Sequence, residues 1–297
     1  MNAYLRAVGF SNIDRNKMRK LIESVEKNPD KRYIVGSNHD EIYIEYYKEY
    51  GNGIGVVGKG VLDERENPFV DVCEPYICSD WDIEAKGYFL EHLDDSTAVI
   101  IFEDETSGNE LAFELQSHIE YKQNEKSFTD YGSYTTELKK VNIAGLSLYA
   151  TIILPVVKDS VEEEMQQLES TYYKNLVGKS RNGDEEAIEL LTFYEQQTSD
   201  TIRARLEEED FLSVVEGYIL PSEDDELAYN ILGDIEKVNI ITNPVTGEEI
   251  YKLDVDIIGV RVQIFINKYD VTGLPIEGMR FMGCCKLQGN IVIEKNR

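Results

Sequence analysis

The chain has 297 residues, of which 42% are hydrophobic, and its 57 acidic and 30 basic residues leave a formal net charge of −27. This apolar fraction is ordinary for a globular protein and too high for an intrinsically disordered one. The negative charge repels phosphate groups, so we expect neither nucleic acid nor an anionic membrane as a partner.

The first residues, MNAYLRAVGFSNIDRNKMRK, contain charged side chains before any apolar run that could act as a secretory signal. No apolar run reaches the length of about 18 residues that a transmembrane helix needs. Four cysteines in a chain of this length do not indicate a disulfide framework, so reduced thiols are expected. Together these features predict a cytoplasmic protein.

Residues 1–32 differ in charge from the rest of the chain. They contain eight basic and four acidic residues, a net charge of +4, while the remainder carries −31. Within this segment, residues 11–27 predict a helix that is capped by Ser11 and has one apolar face. Two interpretations stay open: a basic helix packed on an acidic body, which is the commoner arrangement, or a docking arm for an acidic partner.

A run of predicted strands follows the helix. The alternation in EIYIEYYKEY (41–50) predicts a half-buried strand, and Gly51, Gly53 and Gly55 predict a turn into a second strand that ends near Leu62. Further strands are predicted around 70–78, 98–103, 110–121 and 138–154.

The sequence GIGVVGKG at 53–60 contains the glycine spacing of a dinucleotide-binding loop and the Gly-Lys pair of a P-loop. Both kinds of site need a helix directly afterwards, because its N-terminus helps to bind the phosphates. Here VLDERENPF continues as a strand to Pro68, and Gly60 occupies the position where a P-loop needs Ser or Thr. We therefore predict no cofactor, and a hairpin turn explains the glycines.

Helical periodicity begins near Ser160 and predicts a helical connector over 158–210. The connector comprises a helix that ends at Gly178, a second helix from about Asp184 and a short third helix over 200–209. After Phe211 the chain returns to strands. The run NPVTGEE (243–249) predicts a hairpin turn, and GMRFMGCCKLQGNIVIE near the end predicts another hairpin.

Two pairs of segments suggest an internal duplication. NELAFELQSHIE (109–120) aligns on DELAYNILGDIE (225–236), and VNIAGLSLYATI (141–152) aligns on VDIIGVRVQIFI (255–266), at offsets of 116 and 114. The shared order and similar offsets favour duplication, with a first unit at about 96–155. The alternative is that two β-rich stretches share composition and phase. Residues 109–121 fit a strand, which we favour, or a helix.

The duplication indicates one candidate site. If residues 109–121 form a strand, His118 and Glu120 share a face, and Asp234 and Glu236 are their counterparts in the second unit. Two such pairs facing each other would suit a divalent cation or a polar ligand. A solvated strand face explains the same four residues and is the commoner outcome.

Other residues of reactive type show no pattern that identifies a site. Cys73, Cys78, Cys284 and Cys285 lack the usual spacing of structural zinc ligands, and buried thiols are the commoner role for such residues. The three histidines, His39, His92 and His118, stand in no metal-binding signature. No catalytic and no cofactor-binding residue is predicted.

The chain resembles an uncharacterised bacterial family known mainly from clostridia and their relatives. The resemblance rests on NAYLRAVGFS near the start, CEPYI at 73–77 and GMRFMGCCKLQGNIVI near the end, and it extends over the whole chain. It implies a Gram-positive, cytoplasmic origin. The family has no assigned activity or cofactor, so the resemblance implies no functional residues.

These patterns predict an α+β fold that is β-rich and mainly antiparallel, with two related β units separated by a helical segment. We expect an N-terminal α+β domain (1–157), the helical connector (158–210) and a C-terminal β domain (211–297). The favoured function is a non-enzymatic binding module with a protein partner. A hydrolase whose site residues are distant in sequence and a divalent-metal-binding module are the alternatives.

Overall fold

The computed structural model of the protein describes residues 2–36, 41–93, 97–104, 110–124, 134–135, 139–156, 171–173, 175–223, 225 and 227–292. Within these residues, the strands form one sheet of four and one sheet of eleven, and most neighbouring strands are antiparallel. The predicted α+β, β-rich and mainly antiparallel fold class is thereby confirmed. No described helix is both long and apolar enough to cross a bilayer.

The small sheet and the helices before it form the N-terminal part. In chain order these elements are a 3₁₀ helix (Ala3–Val8), α1 (Arg15–Lys27), β1 (Lys31–Gly36), β2 (Ile42–Gly51), β3 (Ile54–Leu62) and β4 (Pro68–Ile77). The predicted cap of α1 is wrong, because Asp14 accepts the hydrogen bond from the Lys17 amide at 2.8 Å. Ser11 instead donates its hydroxyl to Glu248 at 2.8 Å.

The glycines in and just before the GIGVVGKG run have two different structural roles. Gly51 and Gly53 have positive φ and form the predicted turn between β2 and β3. Farther along β3, a Cβ on Gly60 would lie 2.0 Å from the carbonyl oxygen of Phe69, so neighbouring β4 requires glycine at that position. The strand is followed by β4 rather than by a phosphate-binding helix.

The large sheet contains the remaining strands. They are β5 (Ile83–His92), β6 (Ala98–Asp104), β7 (Glu110–Leu115), β8 (Tyr134–Thr135), β9 (Lys139–Ile153), β10 (Tyr218–Pro221), β11 (Ala228–Thr242), β12 (Glu249–Ile257), β13 (Val260–Asn267), β14 (Val271–Thr272) and β15 (Arg280–Val292). The helices in this part are α2 (His118–Asn124), α3 (Glu185–Leu206), α4 (Phe211–Val214) and a 3₁₀ helix (Lys268–Asp270). Residues 171–173 and 175–181 are also helical.

A long antiparallel ladder of β9 and β15 is the centre of the large sheet. At one end of the ladder, β5 pairs with β9 and β7 pairs with β15, and β6 joins β5 to β7. At the other end, β11 pairs with β15, while β13 pairs with the middle of β9, and β12 joins β11 to β13. The sheet therefore closes on itself twice, and each closed circuit includes β9 and β15.

The predicted duplication is not confirmed, because the aligned segments adopt different structures. Within 109–120 the structure has the whole of β7 and the start of α2, whereas residues 228–236 of the second segment belong to the single strand β11. Residues 141–152 lie within β9, but residues 255–266 cross the turn at Ile258 and Gly259 between β12 and β13. The strand predicted over 110–121 is likewise wrong beyond Leu115.

Three further predictions concern the second half of the chain. The hairpin turn at 243–249 is confirmed by the antiparallel pairing of β11 with β12. The predicted final hairpin is wrong, since β15 is one strand of 13 residues. The short helix predicted over 200–209 is mostly the end of α3, and the helix predicted to end at Gly178 lies partly outside the described residues.

The two predicted β domains share one sheet. Each closed circuit combines four strands from one part of the chain with one strand from the other part: β15 completes the circuit of β5, β6, β7 and β9, and β9 completes the circuit of β11, β12, β13 and β15. The division of the chain into domains remains a prediction.

Two apolar cores stabilise this arrangement. The larger core lies within the large sheet and includes Phe102, Phe113, Ile264 and Phe281, all at most 2% exposed. The second core lies between the small sheet, the N-terminal helices and the other face of the large sheet, to which Phe265 belongs. Because adjacent residues of a strand point to opposite faces, β13 supplies side chains to both cores.

Candidate binding cleft and buried polar seam

The structure places His118 and Glu120 in a helix rather than on a strand. His118 begins α2 and is fully buried. Glu120 accepts a hydrogen bond from the Tyr33 hydroxyl of β1 at 2.7 Å. α2 therefore directs these residues towards the small sheet.

Asp234 and Glu236 lie on β11, in contact with other elements. Asp234 is opposite Arg280 of β15 in the strand register, and Glu236 forms an ion pair with Arg261 of β13 at 2.6 Å. A register shift between Ile235 and Lys237 interrupts the regular alternation of the strand. The structure does not bring this pair to His118 and Glu120.

Metal-ligating residue types show no clustering in the part of the chain that the structure describes. There, no group of three or more His, Cys, Asp or Glu side chains is arranged to hold a metal ion. Cys73 and Cys285 are buried in different cores. His39 lies outside the described residues.

A cleft of about 520 Å³ lies between α1 and the turn that joins β11 to β12. Its lining combines large apolar side chains with two lysines and a few polar groups: Phe10, Ile13, Leu21, Tyr50 and Val245, Lys17 and Lys20, and Asn12, Ser24, Thr246 and Glu248. This volume is in the range of small-molecule and side-chain pockets. We call it the α1 cleft.

Hydrogen bonds to the N-terminal segment hold the turn that forms one wall of the α1 cleft. The Asn243 side chain donates to the carbonyl of Val8 at 2.7 Å and accepts from the Val245 amide at 2.8 Å. The Thr246 hydroxyl donates to the carbonyl of Gly9 at 2.7 Å. The wall is therefore fixed to the 3₁₀ helix, although more than 230 residues separate the two in sequence.

Glu248 completes this frame at the base of the α1 cleft. Its carboxylate accepts hydrogen bonds from the Ser11 amide at 3.1 Å and the Ser11 hydroxyl at 2.8 Å, and from the Asn267 side chain at 2.7 Å. Both carboxylate oxygens are therefore occupied by neutral donors, which stabilise the negative charge of Glu248 and fix its orientation.

The two lysines give the α1 cleft a positive edge. Lys17 donates to the carbonyl of Asn12 at 2.8 Å, and among the described residues neither Lys17 nor Lys20 forms an ion pair. Arg19 and Lys27 of the same helix are paired, since both lie within 4 Å of Glu23. Lys17 and Lys20 therefore bring unpaired positive charge of α1 to the edge of the α1 cleft.

A second polar feature, the buried seam, connects the two sheets. It consists of Glu45, Lys59 and Glu74 from the small sheet and of Glu114 and Lys286 from the large sheet. The Lys59 ammonium lies 2.8 Å from a Glu74 oxygen and 3.8 Å from a Glu114 oxygen, and Lys286 lies 2.5 Å from the other Glu114 oxygen. Alternating charges thus run from one sheet to the other.

Burial and charge act in opposite directions on the pKa values in the buried seam. Burial alone would lower the pKa of Lys59, but the carboxylates of Glu74, Glu114 and Glu45 raise it above its ordinary value. Burial raises the pKa of Glu45 to about 7, although Lys59 and the Ile119 amide partly offset this effect. Glu45 is therefore the group of the buried seam that titrates near neutral pH.

Sequence reasoning identified neither feature. The basic segment at 1–32 and the turn at 243–249 were both recognisable, but their contact is a long-range one that no local pattern indicates. In the buried seam, Glu45 belongs to the alternation of β2 and Lys59 to the glycine-rich run, and both were explained by other patterns. The signal that remained in the sequence was a charged residue next to apolar ones within a strand, Glu45 in β2 and Lys59 in β3.

Comparison with protein-family models matches residues 5–289 to the family described as "Domain of unknown function, E. rectale Gene description (DUF3881)". The match agrees with the predicted resemblance to an uncharacterised clostridial family. No curated protein and no solved structure matches the chain.

Proposed function

The chain belongs to this family of unknown function, and we propose that it is a non-enzymatic protein-interaction module whose binding site is the α1 cleft. The proposal rests on one observation: the apolar α1 cleft is lined by two lysines that have no ion-pair partner among the described residues. Apolar pockets with a few polar groups are the usual form of binding sites. The hydrolase and divalent-metal alternatives remain predictions.

The proposed occupant is an acidic segment of a partner protein that inserts one large apolar side chain. The α1 cleft lies at the basic N-terminal segment, whose net charge of +4 contrasts with the −31 of the remaining chain. A basic partner would be attracted to the acidic body everywhere, whereas acidic flanks select the edge formed by Lys17 and Lys20. The volume of about 520 Å³ suits an aromatic or aliphatic anchor.

The rigid frame supports binding without a large rearrangement. Asn243, Thr246 and Glu248 each bond to the N-terminal segment, so the wall opposite α1 is already in place. A preformed site loses little conformational entropy when it is filled.

Binding of synthetic peptides tests the proposal. The probe is a fluorescent peptide with a Trp-Leu pair between glutamates, and the comparison peptides carry lysines as flanks or alanines in place of Trp-Leu. We expect fluorescence anisotropy to detect binding of the first peptide, and we expect the Lys17→Glu/Lys20→Glu variant to weaken it by about tenfold or more. Val245→Ser, which shortens one apolar wall, is expected to weaken binding a few-fold.

The matched control is Arg19→Glu/Lys27→Glu, which makes the same charge change on the same helix outside the α1 cleft. Equal losses in both double variants would show that only net charge matters and would refute the site. Failure of the wild-type protein to bind the acidic peptide, together with binding of a medium-chain fatty acid such as decanoate, would refute the protein partner and indicate a small amphiphile as the ligand.

A further inference from the structure

Glu45 is a carboxyl group that is enclosed between two elements. It lies on β2 with no exposed surface. One carboxyl oxygen, Oε2, accepts hydrogen bonds from the Ile119 amide at 3.0 Å and the Glu120 amide at 3.4 Å. The Tyr47 hydroxyl lies 3.1 Å from Oε2 and 3.0 Å from the Gln116 carbonyl, and it can donate its one proton to either oxygen. Oε1 is buried and has no hydrogen-bond partner among the described residues. Among the described residues, only one of the two carboxyl oxygens of Glu45 therefore has hydrogen-bond partners.

Ionisable groups from every neighbouring element face this position. Lys59 of β3 is the nearest cation to act on it, and its ammonium is already shared by two other carboxylates of the buried seam. The remaining groups are Glu120 of α2, Tyr33 of β1, Tyr47 of β2 and Tyr76 of β4. His118, which is buried, is the first residue of α2. Glu120 adds negative charge, so the neighbourhood does not compensate a second carboxylate fully.

The two protonation states of Glu45 have different costs in this position. A neutral carboxyl group leaves one buried polar atom without a partner. A carboxylate accepts the Ile119 and Glu120 amides more strongly, but it leaves a buried charge with an unsatisfied oxygen, and this burial outweighs the two hydrogen bonds in its effect on the pKa of Glu45. Water can reach and solvate the Glu45 carboxylate only if β2 or α2, the two elements that enclose it, moves. α2 is the smaller one, with 7 residues, and it is attached to β2 here through the Ile119 and Glu120 amides.

We propose that Glu45 is a proton-operated latch for α2: the neutral side chain keeps α2 seated on β2, and loss of the proton favours a state in which α2 separates and water reaches the carboxylate. Burial raises the pKa of Glu45 to about 7 in the seated state, which is consistent with this role. A hydrated Glu45 returns towards the ordinary pKa near 4.5. The seated state is therefore favoured at low pH and loses its advantage as the pH rises towards 7.

Hydrogen exchange of the Ile119 and Glu120 amides measures, in the intact protein, how often α2 separates from Glu45. After correction for the intrinsic exchange rate, we expect their protection to fall about tenfold between about pH 6 and about pH 8. In Glu45→Gln, which keeps the shape and an acceptor oxygen, protection should not change over this range. His118 is retained in that variant, so its titration is controlled, and the amide of Ile264 in β13 serves as the internal reference.

A second measurement uses only the wild-type protein and therefore does not depend on whether Glu45→Gln folds. The side-chain carboxyl carbon of Glu45 can be followed by carbon-13 NMR in the wild-type protein as the pH is changed. A midpoint near neutral pH supports the latch, and a midpoint in the ordinary range of glutamate overturns it. Protection of Ile119 and Glu120 that is independent of pH, or that changes equally in Glu45→Gln, also overturns it.

Discussion

Lys59 brings a positive charge between the two sheets, where only 9% of its side chain is exposed. A charge in such a place is stable only if carboxylates and hydrogen bonds replace the water that it has lost. Glu74 of its own sheet and Glu114 of the other sheet supply this replacement. Lys59 therefore connects the sheets electrostatically, and its pKa is raised despite its burial because three carboxylates surround it.

Substitution of Lys59 by an apolar residue removes the positive charge that pairs with Glu74 and Glu114. We expect Lys59→Met to lower the free energy of unfolding by about 3–5 kcal/mol, because breaking a buried pair leaves uncompensated charge behind. Urea denaturation followed by circular dichroism measures the change. In the same variant, the pKa of Glu45 should rise further, since Lys59 is the cation that lowers it.

The control for this prediction is Lys268→Met, which removes one member of the exposed ion pair with Glu249. Surface pairs contribute little, so this variant should unfold almost like the wild type. Equal destabilisation by both substitutions would show that the loss arises from something other than burial of the Lys59 charge.

At the scale of single elements, β3 shows how a pattern that resembles a motif arises from packing. The backbone of β4 approaches Gly60 so closely that a methyl group there would overlap the carbonyl oxygen of Phe69. The close approach coincides with a register shift between Lys59 and Gly60 in the pairing with β4. Glycine at this position is thus a requirement of the strand pairing and not of phosphate binding.

This interpretation predicts the effect of adding one methyl group. We expect Gly60→Ala to lower the free energy of unfolding by about 2–3 kcal/mol, because either the backbone or the neighbouring strand must shift. Gly36→Ala in β1 is the matched control, since a Cβ there meets nothing within 4 Å. Thermal unfolding of both variants checks the prediction, and a fully stable Gly60→Ala would contradict it.

The end of β7 explains why the alternation of residues 110–121 was misleading. Leu111, Phe113 and Leu115 alternate as a strand should, and they are all buried. After Leu115 the same run of residues turns into α2, in which Ile119 is also buried. Both the strand and the helix interpretations were therefore right for a part of the segment, and the boundary between them was not visible in the spacing.

At the scale of the whole molecule, the two closed circuits have the same order of strands. The meander β5–β6–β7 begins on β9 and ends on β15, and the meander β11–β12–β13 begins on β15 and ends on β9. In both cases the first contact is antiparallel and the last is parallel. The internal duplication predicted from the sequence aligns other segments, so it does not account for this shared order.

The shared ladder makes the two parts depend on each other. A fragment of residues 1–157 contains β9 and β7 but lacks β15, the strand that pairs with both. Strand edges of this length without a partner favour aggregation or disorder. We expect the fragment to show no cooperative unfolding transition in circular dichroism, while the full chain unfolds cooperatively.

Coexpression of residues 211–297 provides the control, because it restores β15 and should recover part of the structure. A fragment of residues 1–157 that unfolds cooperatively by itself would instead support the N-terminal domain predicted from the sequence. The outcome therefore decides whether the predicted domains are independent units.

The sequence by itself determined the features that depend on neighbouring residues. Alternation predicted β2, the glycine turn after it predicted β3, and the run NPVTGEE predicted the turn at 243–249. The predicted strands and helices together indicated a β-rich α+β fold. These features follow from local backbone preferences and from the burial of one face of each element. The family resemblance was also contained in short local segments.

Only the tertiary structure decided which distant segments meet. The α1 cleft needs Lys17 of the first helix beside Val245 of a late turn, and the buried seam needs Lys59 beside Glu114 of another sheet. Contacts of this kind depend on strand order and register, which local patterns do not specify. For the same reason, His118 and Asp234 were aligned in sequence and yet lie on different elements in the fold.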